Sequence, residues 1–358
     1  MEHQHPIRPK TVHVFIIDGT MSRLDEGDET NAGLLYKLLK DQGPQRDQTV
    51  SYHPGVQATG MKKWVNIAAG IGINQSILEG YATLSSRYEP GDSIMLFGFS
   101  RGAYAVRSLA GLINRVGLLR KDAATQRRIH RAFRHYEARK LSPTAQDFSR
   151  IYCHENVPIQ MLGVWDTVKA LGLPYPVLNR LAPMATEFHD HALGQNVANA
   201  FQALALDENR SSYAPLPWRV KDEWPGHIEQ MWFAGAHPDI GGHVRGRPKA
   251  RFLANIPLVW MLAKAEACGL KLPPDWEAEF PTNAAAPMAG AYSGIAKFFI
   301  ARAPREPFKC SSEALHPSVL ARRAALPRYR PRAKIILPEP KTGSEIERPE
   351  RIPSHRPA

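Results

Sequence analysis

Residues 98–102 form the pattern G-x-S-x-G, which can hold a nucleophilic serine. In this pattern the serine stands on a sharp turn between a strand and a helix, and a β-carbon at Gly98 or Gly102 would collide with neighbouring backbone. The chain supplies that context, because an apolar run precedes the motif and a helical pattern follows it. The sequence therefore predicts Ser100 as a nucleophile, with a serine that only caps the helix as the alternative.

A serine hydroxyl needs a base to take its proton, and hydrolases of the α/β type place the acid and then the histidine after the serine. Asp166 directly follows a predicted strand, and His237 lies in a turn of small residues after another. The carboxyl ends of parallel strands meet at one edge of a sheet, so Asp166 and His237 are predicted to complete a triad. Asp239 is the alternative acid, unless it instead orders its own loop through backbone amides.

The tetrahedral intermediate of such a reaction carries an oxyanion that backbone N–H groups must stabilise. The amide of Arg101 is one predicted donor, and Gly19 or Thr20, after the first strand, is predicted to supply the second. Asp18-Gly19-Thr20 also resembles the D-x-D-G-T motif of phosphatases of the haloacid-dehalogenase type. The nucleophilic aspartate of that motif is replaced by Ile16, so the phosphatase interpretation is the weaker one.

No pattern in the sequence predicts a metal ion, a disulfide framework or any other cofactor. The three cysteines are far apart and show no C-x-x-C spacing. Residues 189–191 read His-Asp-His, but no third ligand is evident, so this stretch is interpreted as a polar loop.

The formal net charge of +12 lies mainly in two regions. Residues 301–358 carry 13 basic and 6 acidic side chains, and a second basic cluster spans 115–140. That cluster is either a solvated helix face or a patch for anionic phospholipid. No nucleic-acid-binding module accompanies the charge, so no nucleic-acid partner is expected.

Apolar runs with the period of buried strands alternate with helical patterns along the chain. Strands are predicted over 12–17, 49–53, 93–99, 158–165 and 227–233. Helices are predicted over 31–42, 67–88, 101–115, 121–140, 193–205 and 255–268. The alternation predicts an α/β fold of the α/β-hydrolase type, with a mostly parallel sheet between two helical layers and a helical, cap-like insertion.

The predicted organisation is one catalytic domain over 11–340, which contains the basic helical insertion at about 115–157. Residues 1–10 are predicted to be an N-terminal tail, and the proline-rich residues 341–358 a disordered one. The first residues contain no apolar segment of a Sec signal, and no apolar run approaches the ~20 residues of a membrane helix. The chain is expected in the cytoplasm, and export would need a route without an N-terminal signal.

A set of motifs in this order resembles the catalytic domain of the type VI secretion system phospholipase effectors, a family of α/β hydrolases. The resemblance covers about residues 11–340. Its segments are 17–20 (IDGT), 52–56 (YHPGV), 91–93 (GDS), 98–104 (GFSRGAY), 163–168 (GVWDTV), 205–210 (ALDENR), 232–242 (WFAGAHPDIGG), 316–319 (HPSV) and 329–331 (YRP).

The resemblance implies a Ser-Asp-His triad, Ser100, Asp166 and His237, that cleaves acyl esters of glycerophospholipids. It also implies that Asp18 and Asp239 lie near the site. An anionic membrane surface, an immunity protein or a secretion-system component are the partners it suggests, with secretion by the type VI system. A general carboxylesterase and a non-catalytic binding protein on a hydrolase scaffold are the alternatives.

Two positions depart from the family pattern. Pro238 stands where a small polar residue is usual, and Ser22 stands where asparagine is usual.

Overall fold

The computed structural model describes residues 10–56, 71–138, 140–168, 193–219, 224–291 and 301–337. The strands are β1 (Val12–Ile17), β2 (Gln48–His53), β3 (Ser93–Phe99), β4 (Leu118–Leu119), β5 (Cys153–His154), β6 (Ile159–Trp165), β7 (Asn199–Ala205), β8 (His227–Phe233) and β9 (Glu313–Leu315). Seven of them form a parallel sheet in the order β2-β1-β3-β6-β7-β8-β9, while β4 and β5 pair antiparallel in a separate ribbon. The predicted α/β fold with a mostly parallel sheet is confirmed.

Helices cover both faces of the sheet. They are α1 (Asn31–Asp41), α2 (Ile71–Arg87), α3 (Arg101–Val116), α4 (Gln126–Glu137), α5 (Pro143–Tyr152), α6 (His237–Gly241), α7 (Arg251–Ala267) and α8 (Pro317–Ala325). Side chains of a strand alternate between faces, so Phe15 joins the core beneath α2 and α3, while Ile16 joins the core beneath α1 and α7. Burial on both faces explains why the strands read as continuous apolar runs.

The order of the strands creates a crevice at the carboxyl edge of the sheet. From β1 the chain passes first to β2 on one side and then to β3 on the other, so the connections after β1 and β3 diverge. Ligands of open α/β sheets bind at such a switch point, outside the carboxyl ends of the strands. The turn that holds Ser100 and the loop that holds Gly19 both lie there.

The predicted helix over 193–205 is wrong. Asn199–Ala205 forms β7, which pairs with β6 on one side and with β8 on the other. Its sequence, NAFQALA, is so short that its apolar residues fit both the helical and the strand period. Its position between two strands, where it is buried, favours the strand. The first four residues of the predicted helix over 67–88 lie outside the described residues, and α2 accounts for the rest.

The insertion over 115–157 is helical, as predicted, and contains α4 and α5. It leaves from the end of α3 and returns to the start of β6, so both of its ends are at the amino edge of the sheet, opposite Ser100. The prediction that the insertion is cap-like is therefore wrong, since a cap would leave from the carboxyl edge. Several of its arginines have structural partners: Arg120 donates to the Cys153 carbonyl at 3.1 Å, and Arg128 lies 4.3 Å over the Tyr152 ring. Part of the basic cluster therefore holds the insertion together.

The segment 301–337 packs against the edge of the sheet formed by β8 and β9. Val319 and Leu337 are buried against Trp232 of β8, whose indole N–H donates to Glu313 at 2.8 Å. The predicted tails over 1–10 and 341–358 lie outside the described residues, apart from Lys10. No helix in the described ranges has both the length and the hydropathy that a membrane crossing requires.

Candidate active site

Ser100 stands in the turn between β3 and α3 with φ 59° and ψ −119°. Its amide donates to the Trp165 carbonyl at 3.0 Å, which ties the turn to the end of β6. A β-carbon on Gly98 would lie 2.6 Å from the Gly102 carbonyl oxygen, and one on Gly102 would lie 2.2 Å from the Ile17 oxygen. The two glycines thus allow the backbone to approach closely enough for a residue with positive φ to be held at position 100.

The structure brings together the three residues that the sequence analysis selected. Ser100 Oγ lies 2.8 Å from His237 Nε2, and His237 Nδ1 lies 2.6 Å from Asp166 Oδ2. With its proton on Nδ1, the imidazole donates to the carboxylate and accepts from the serine hydroxyl. The serine is 8% exposed and the carboxylate fully buried. This arrangement can remove a proton from Ser100 and pass it to a leaving group.

Asp166 has a second partner that the sequence analysis did not predict. Arg305 donates from Nη1 to Oδ1 at 2.6 Å and from Nη2 to Oδ2 at 2.9 Å, and the Ala205 amide donates to Oδ1 at 3.1 Å. Burial alone would raise the pKa of Asp166. The charges of Arg305 and His237, and the hydrogen bonds that both residues donate, instead hold this pKa well below its usual value. The carboxylate is therefore ionised throughout the neutral range.

Backbone pairing brings Arg305 to the site. The Ser211 amide donates to the Ala301 carbonyl at 3.1 Å, and the Ala303 amide donates to the Asn209 carbonyl at 2.8 Å. This short antiparallel contact joins the segment that contains Arg305 to the loop after β7. No helical or strand period marks the segment in the sequence, so nothing there signals its place.

The ring of His237 is enclosed by two aromatic side chains. Phe99 lies at a centroid distance of 4.8 Å, and Tyr213 meets the ring edge-on, also at 4.8 Å. The backbone amide of His237 donates to Glu208 at 3.3 Å. Burial lowers the pKa of His237 below its ordinary value, although Asp166 acts in the opposite direction. The imidazole is accordingly neutral, and able to act as a base, at pH 7.

Glu208 and Arg210 form a buried ion pair beside the histidine. Arg210 donates from Nε and Nη2 to the two carboxylate oxygens at 2.8 and 2.6 Å, and its guanidinium lies 3.6 Å over the Tyr213 ring. The pair neutralises itself and fixes the aromatic wall against His237. Both residues belong to the segment 205–210 of the family resemblance, for which the sequence predicted no role.

Asp18 is fully buried at the end of β1. Its carboxylate accepts from the Thr30 and Tyr52 hydroxyls, both at 2.7 Å, and from the Gly19 amide at 2.6 Å. These neutral donors do not offset burial, which raises the pKa of Asp18. The Asp18 carbonyl would lie 2.3 Å from a β-carbon on Gly102, so the predicted position beside the serine turn agrees with the structure.

The candidate oxyanion donors differ in their present partners. Arg101 is the first residue of α3, where a backbone N–H has no partner within the helix. The Gly19 amide, in contrast, already donates to Asp18. Thr20 offers a second donor besides the predicted backbone amide: within the part of the chain that the structure describes, its buried hydroxyl has no hydrogen-bond partner. Of the two candidates after β1, Thr20 is the better placed to donate to a new group.

Asp239, the alternative acid, does not contact the histidine ring. Its carboxylate accepts from the Ala236, Ala289 and Gly290 amides at 2.9, 2.6 and 3.2 Å. Those contacts match the alternative interpretation, in which it orders the loop around His237. Burial raises the pKa of Asp239.

The ranges that the structure describes contain no group of three or more metal-ligating side chains. The His-Asp-His stretch over 189–191 lies outside those ranges.

The fold defines the chain as an α/β protein with a mostly parallel sheet, and Ser100, His237 and Asp166 lie in the arrangement that a serine hydrolase requires. Residues 12–264 match the family model for the Tle1-like phospholipase effectors of the type VI secretion system, catalytic domain. The chain belongs to that family, and the membership supports a role in lipid hydrolysis.

Similar proteins include an uncharacterized protein of Saccharomyces cerevisiae, YEL023C, which is 28% identical over 239 residues. That match covers 58% of this chain and 33% of the yeast protein. Among solved structures, an uncharacterized protein from Pseudomonas aeruginosa is similar at 18% identity and TM-score 0.44, covering 77% of this chain and 49% of that one. The Tle1 effector bound to the VgrG spike is similar at 20% identity and TM-score 0.39, with coverages of 66% and 52%. The chain thus spans about a third to a half of each relative.

Proposed function

We propose that the protein is a serine hydrolase that cleaves the acyl esters of phospholipids, an activity of the phospholipase A type. One observation carries the proposal: Ser100 Oγ, His237 and Asp166 form a continuous hydrogen-bonded chain of 2.8 and 2.6 Å. Membership in the phospholipase effector family supports the lipid substrate.

In the proposed mechanism, Ser100 Oγ attacks the ester carbonyl carbon while His237 Nε2 takes the hydroxyl proton. The Arg101 amide and a donor at Thr20 stabilise the oxyanion that forms. The C–O bond to the glycerol then breaks, and His237 returns its proton to the departing lysophospholipid oxygen. Water, deprotonated by the same imidazole, hydrolyses the acyl-enzyme and releases the fatty acid.

The charges of the site suit this cycle. Asp166 stays ionised, so it holds the imidazole in the tautomer with the proton on Nδ1 and stabilises the imidazolium that forms in the transition state. His237 starts as the neutral base because its pKa is lowered by burial.

A feature next to the nucleophile favours a phosphate-containing substrate over a neutral ester. Arg101 is partly exposed, and no carboxylate of the described residues pairs with its guanidinium. Burial also lowers the pKa of Arg101, so an anionic partner would stabilise its charge. A guanidinium matches the geometry of a phosphate through two parallel hydrogen bonds.

The test compares the wild type, Ser100→Ala and Ser108→Ala on phosphatidylglycerol vesicles, phosphatidylcholine vesicles and p-nitrophenyl butyrate. Ser108 is a matched control, since it is a buried serine of α3 whose hydroxyl donates to the Tyr104 carbonyl at 3.0 Å. We expect fatty acid and lysophospholipid from the wild type and from Ser108→Ala, and a fall of roughly 10⁴-fold or more in Ser100→Ala.

Two other outcomes would change the assignment. Cleavage of the soluble ester alone would indicate a general carboxylesterase. A wild type that neither turns over esters nor reacts with a fluorophosphonate serine probe would indicate a binding protein on a hydrolase scaffold.

We also propose that the protein is made in the cytoplasm and exported by a type VI secretion system, with a spike component as partner. The family to which the chain belongs supports this proposal. Purified VgrG spike protein from the same organism should retain the full chain in a pull-down, and a failure to bind would refute this partner.

A further inference from the structure

We propose that Arg305 is a positioning residue of the catalytic site, which aligns Asp166 and sets how much of its negative charge reaches His237. The inference rests on the proposed function and adds a fourth side chain to the machinery. The contacts around the Asp166 carboxylate support it.

The geometry of the contact is a fork. Two guanidinium nitrogens meet the two oxygens of Asp166 at 2.6 and 2.9 Å, which fixes the plane of the carboxylate as well as its position. The same guanidinium also donates to the Ala205 carbonyl at 3.0 Å and to the Tyr213 carbonyl at 2.6 Å. Arg305 is thus itself held by the backbone on both sides, and it presents Oδ2 of Asp166 to His237.

The charge of Arg305 acts on the base through the acid. A lone buried carboxylate beside an imidazole raises the basicity of that imidazole strongly. A paired carboxylate raises it less, because the cation cancels much of the field. Among the residues that the structure describes, the titratable and charged groups that face His237 are Asp166, Glu208, Arg210, Tyr213, His243 and Arg305. Glu208 and Arg210 neutralise each other, so Arg305 is the cation that governs the charge of the acid.

Arg305 comes from outside the residues that the family model matches, which end at 264. Its own carbonyl accepts from the Lys334 amide at 2.8 Å, so a second turn of the segment 301–337 holds it in place. The segment therefore contributes to the site directly, in addition to covering the core.

Loss of Arg305 should change catalysis in a way that loss of a structural arginine does not. Arg322 is the matched control, because it is 5% exposed, lies in the same segment and donates to the Ala286 carbonyl at 2.7 Å without touching the triad. The experiment measures kcat and kcat/KM from pH 4 to 10, and the melting temperature, for wild type, Arg305→Met, Arg305→Lys, Arg305→Ala and Arg322→Met.

We expect Arg305→Met to lose about 100-fold in kcat through misplacement of the acid. The acid limb of its pH profile should move up by roughly one unit, because His237 then faces an uncompensated carboxylate. Arg305→Lys keeps the charge but loses the two-pronged contact with Asp166. The acid limb of its pH profile should therefore stay near that of the wild type, while its kcat falls. Guanidinium ions should restore part of the activity of an Arg305→Ala variant. Arg322→Met should lower the melting temperature and leave the limb in place.

An Arg305→Met protein that loses stability while its kcat and acid limb stay those of the wild type would overturn the inference. If that variant does not fold, Arg305→Lys decides, and an unchanged kcat in it would overturn the inference equally. An inactive wild type would instead refute the proposed function, so the two failures are distinguishable.

Discussion

Asp18 and Asp166 are both fully buried at the carboxyl edge of the sheet, on either side of Ser100, yet their surroundings differ in kind. Asp18 accepts from hydroxyls and one amide, none of them charged, and burial raises its pKa. Asp166 accepts from the guanidinium of Arg305 and from His237, and its pKa is lowered despite burial. Several hydrogen bonds do not offset the loss of hydration, whereas a cation in contact does. Of the two acids, the one in contact with an arginine is therefore the one whose ionised form is favoured.

The largest expected effect comes from making the charged acid neutral. Asp166→Asn keeps the shape but removes the charge and the acceptor that orders the His237 tautomer, so kcat should fall roughly 10⁴-fold. It also leaves Arg305 buried without a counter-charge, which should cost about 3–5 kcal/mol of unfolding free energy. Ester hydrolysis and urea denaturation check the two effects. A fall of less than tenfold in kcat would assign the acid to another residue.

The second-largest effect is expected at Gly102, where the serine turn packs against the end of β1. Gly102→Ala places a β-carbon against the carbonyls of Ile17 and Asp18, so we expect a loss of about 3 kcal/mol in unfolding free energy, together with loss of labelling by a serine probe. Gly91→Ala is the reference for backbone strain alone, since φ is 96° there and its β-carbon meets no atom within 4 Å, whereas φ is not positive at Gly102. A loss in Gly102→Ala no larger than the loss in Gly91→Ala would contradict a cost dominated by the close contact with Ile17 and Asp18.

A smaller effect is expected when Asp18, the acid without a cation in contact, is altered. Asp18→Asn is neutral at every pH, and an amide can replace the carboxylate against the Thr30 and Tyr52 hydroxyls. Activity should fall less than about tenfold, and the unfolding free energy at pH 8 should change by about 1 kcal/mol or less, because the cost of burying a charge disappears. Ester hydrolysis and urea denaturation, measured in the same way on Asp166→Asn, show how large the losses are when the acid in contact with arginine is altered. Similar losses in both variants would contradict the distinction.

A last effect, on stability alone, concerns a partly buried base without a charged partner. Burial lowers the pKa of His316 to about 4, against a Phe233 ring at 4.4 Å. The unfolded chain therefore binds the proton first, so this residue costs stability as the pH falls from 6.5 to 4. His316→Asn keeps an N-cap acceptor for α8 but does not titrate, and should reduce the loss over that range by about 1–3 kcal/mol. Urea denaturation of the wild type and of His316→Asn at several pH values checks this prediction. Equal losses of unfolding free energy in both proteins between pH 6.5 and 4 would contradict it.

Much of the site was predictable because its chemistry lies at strand ends. Ser100, Asp166 and His237 each follow an apolar run, and a parallel sheet brings such ends to one edge. The structure places them in contact. β7 was not predictable, since its seven apolar-rich residues fit a helix as well as a strand until their neighbours are known.

Arg305 illustrates the other limit of sequence reasoning. It lies in a stretch of alternating prolines and charged residues that carries no period, and its partner is 139 positions away. Only the backbone pairing between 209–211 and 301–303 brings it to Asp166. Contacts of this kind depend on how the completed core directs a loop, which composition does not encode.

The hydrogen bonds that join the site connect residues separated by 71, 137 and 139 positions. Loop closure over such distances costs entropy before any contact offsets it, so these bonds form only once the central strands are in register. A chain emerging from the ribosome carries its serine long before the arginine is made. The proposed catalytic arrangement can therefore be completed only after synthesis has passed residue 305.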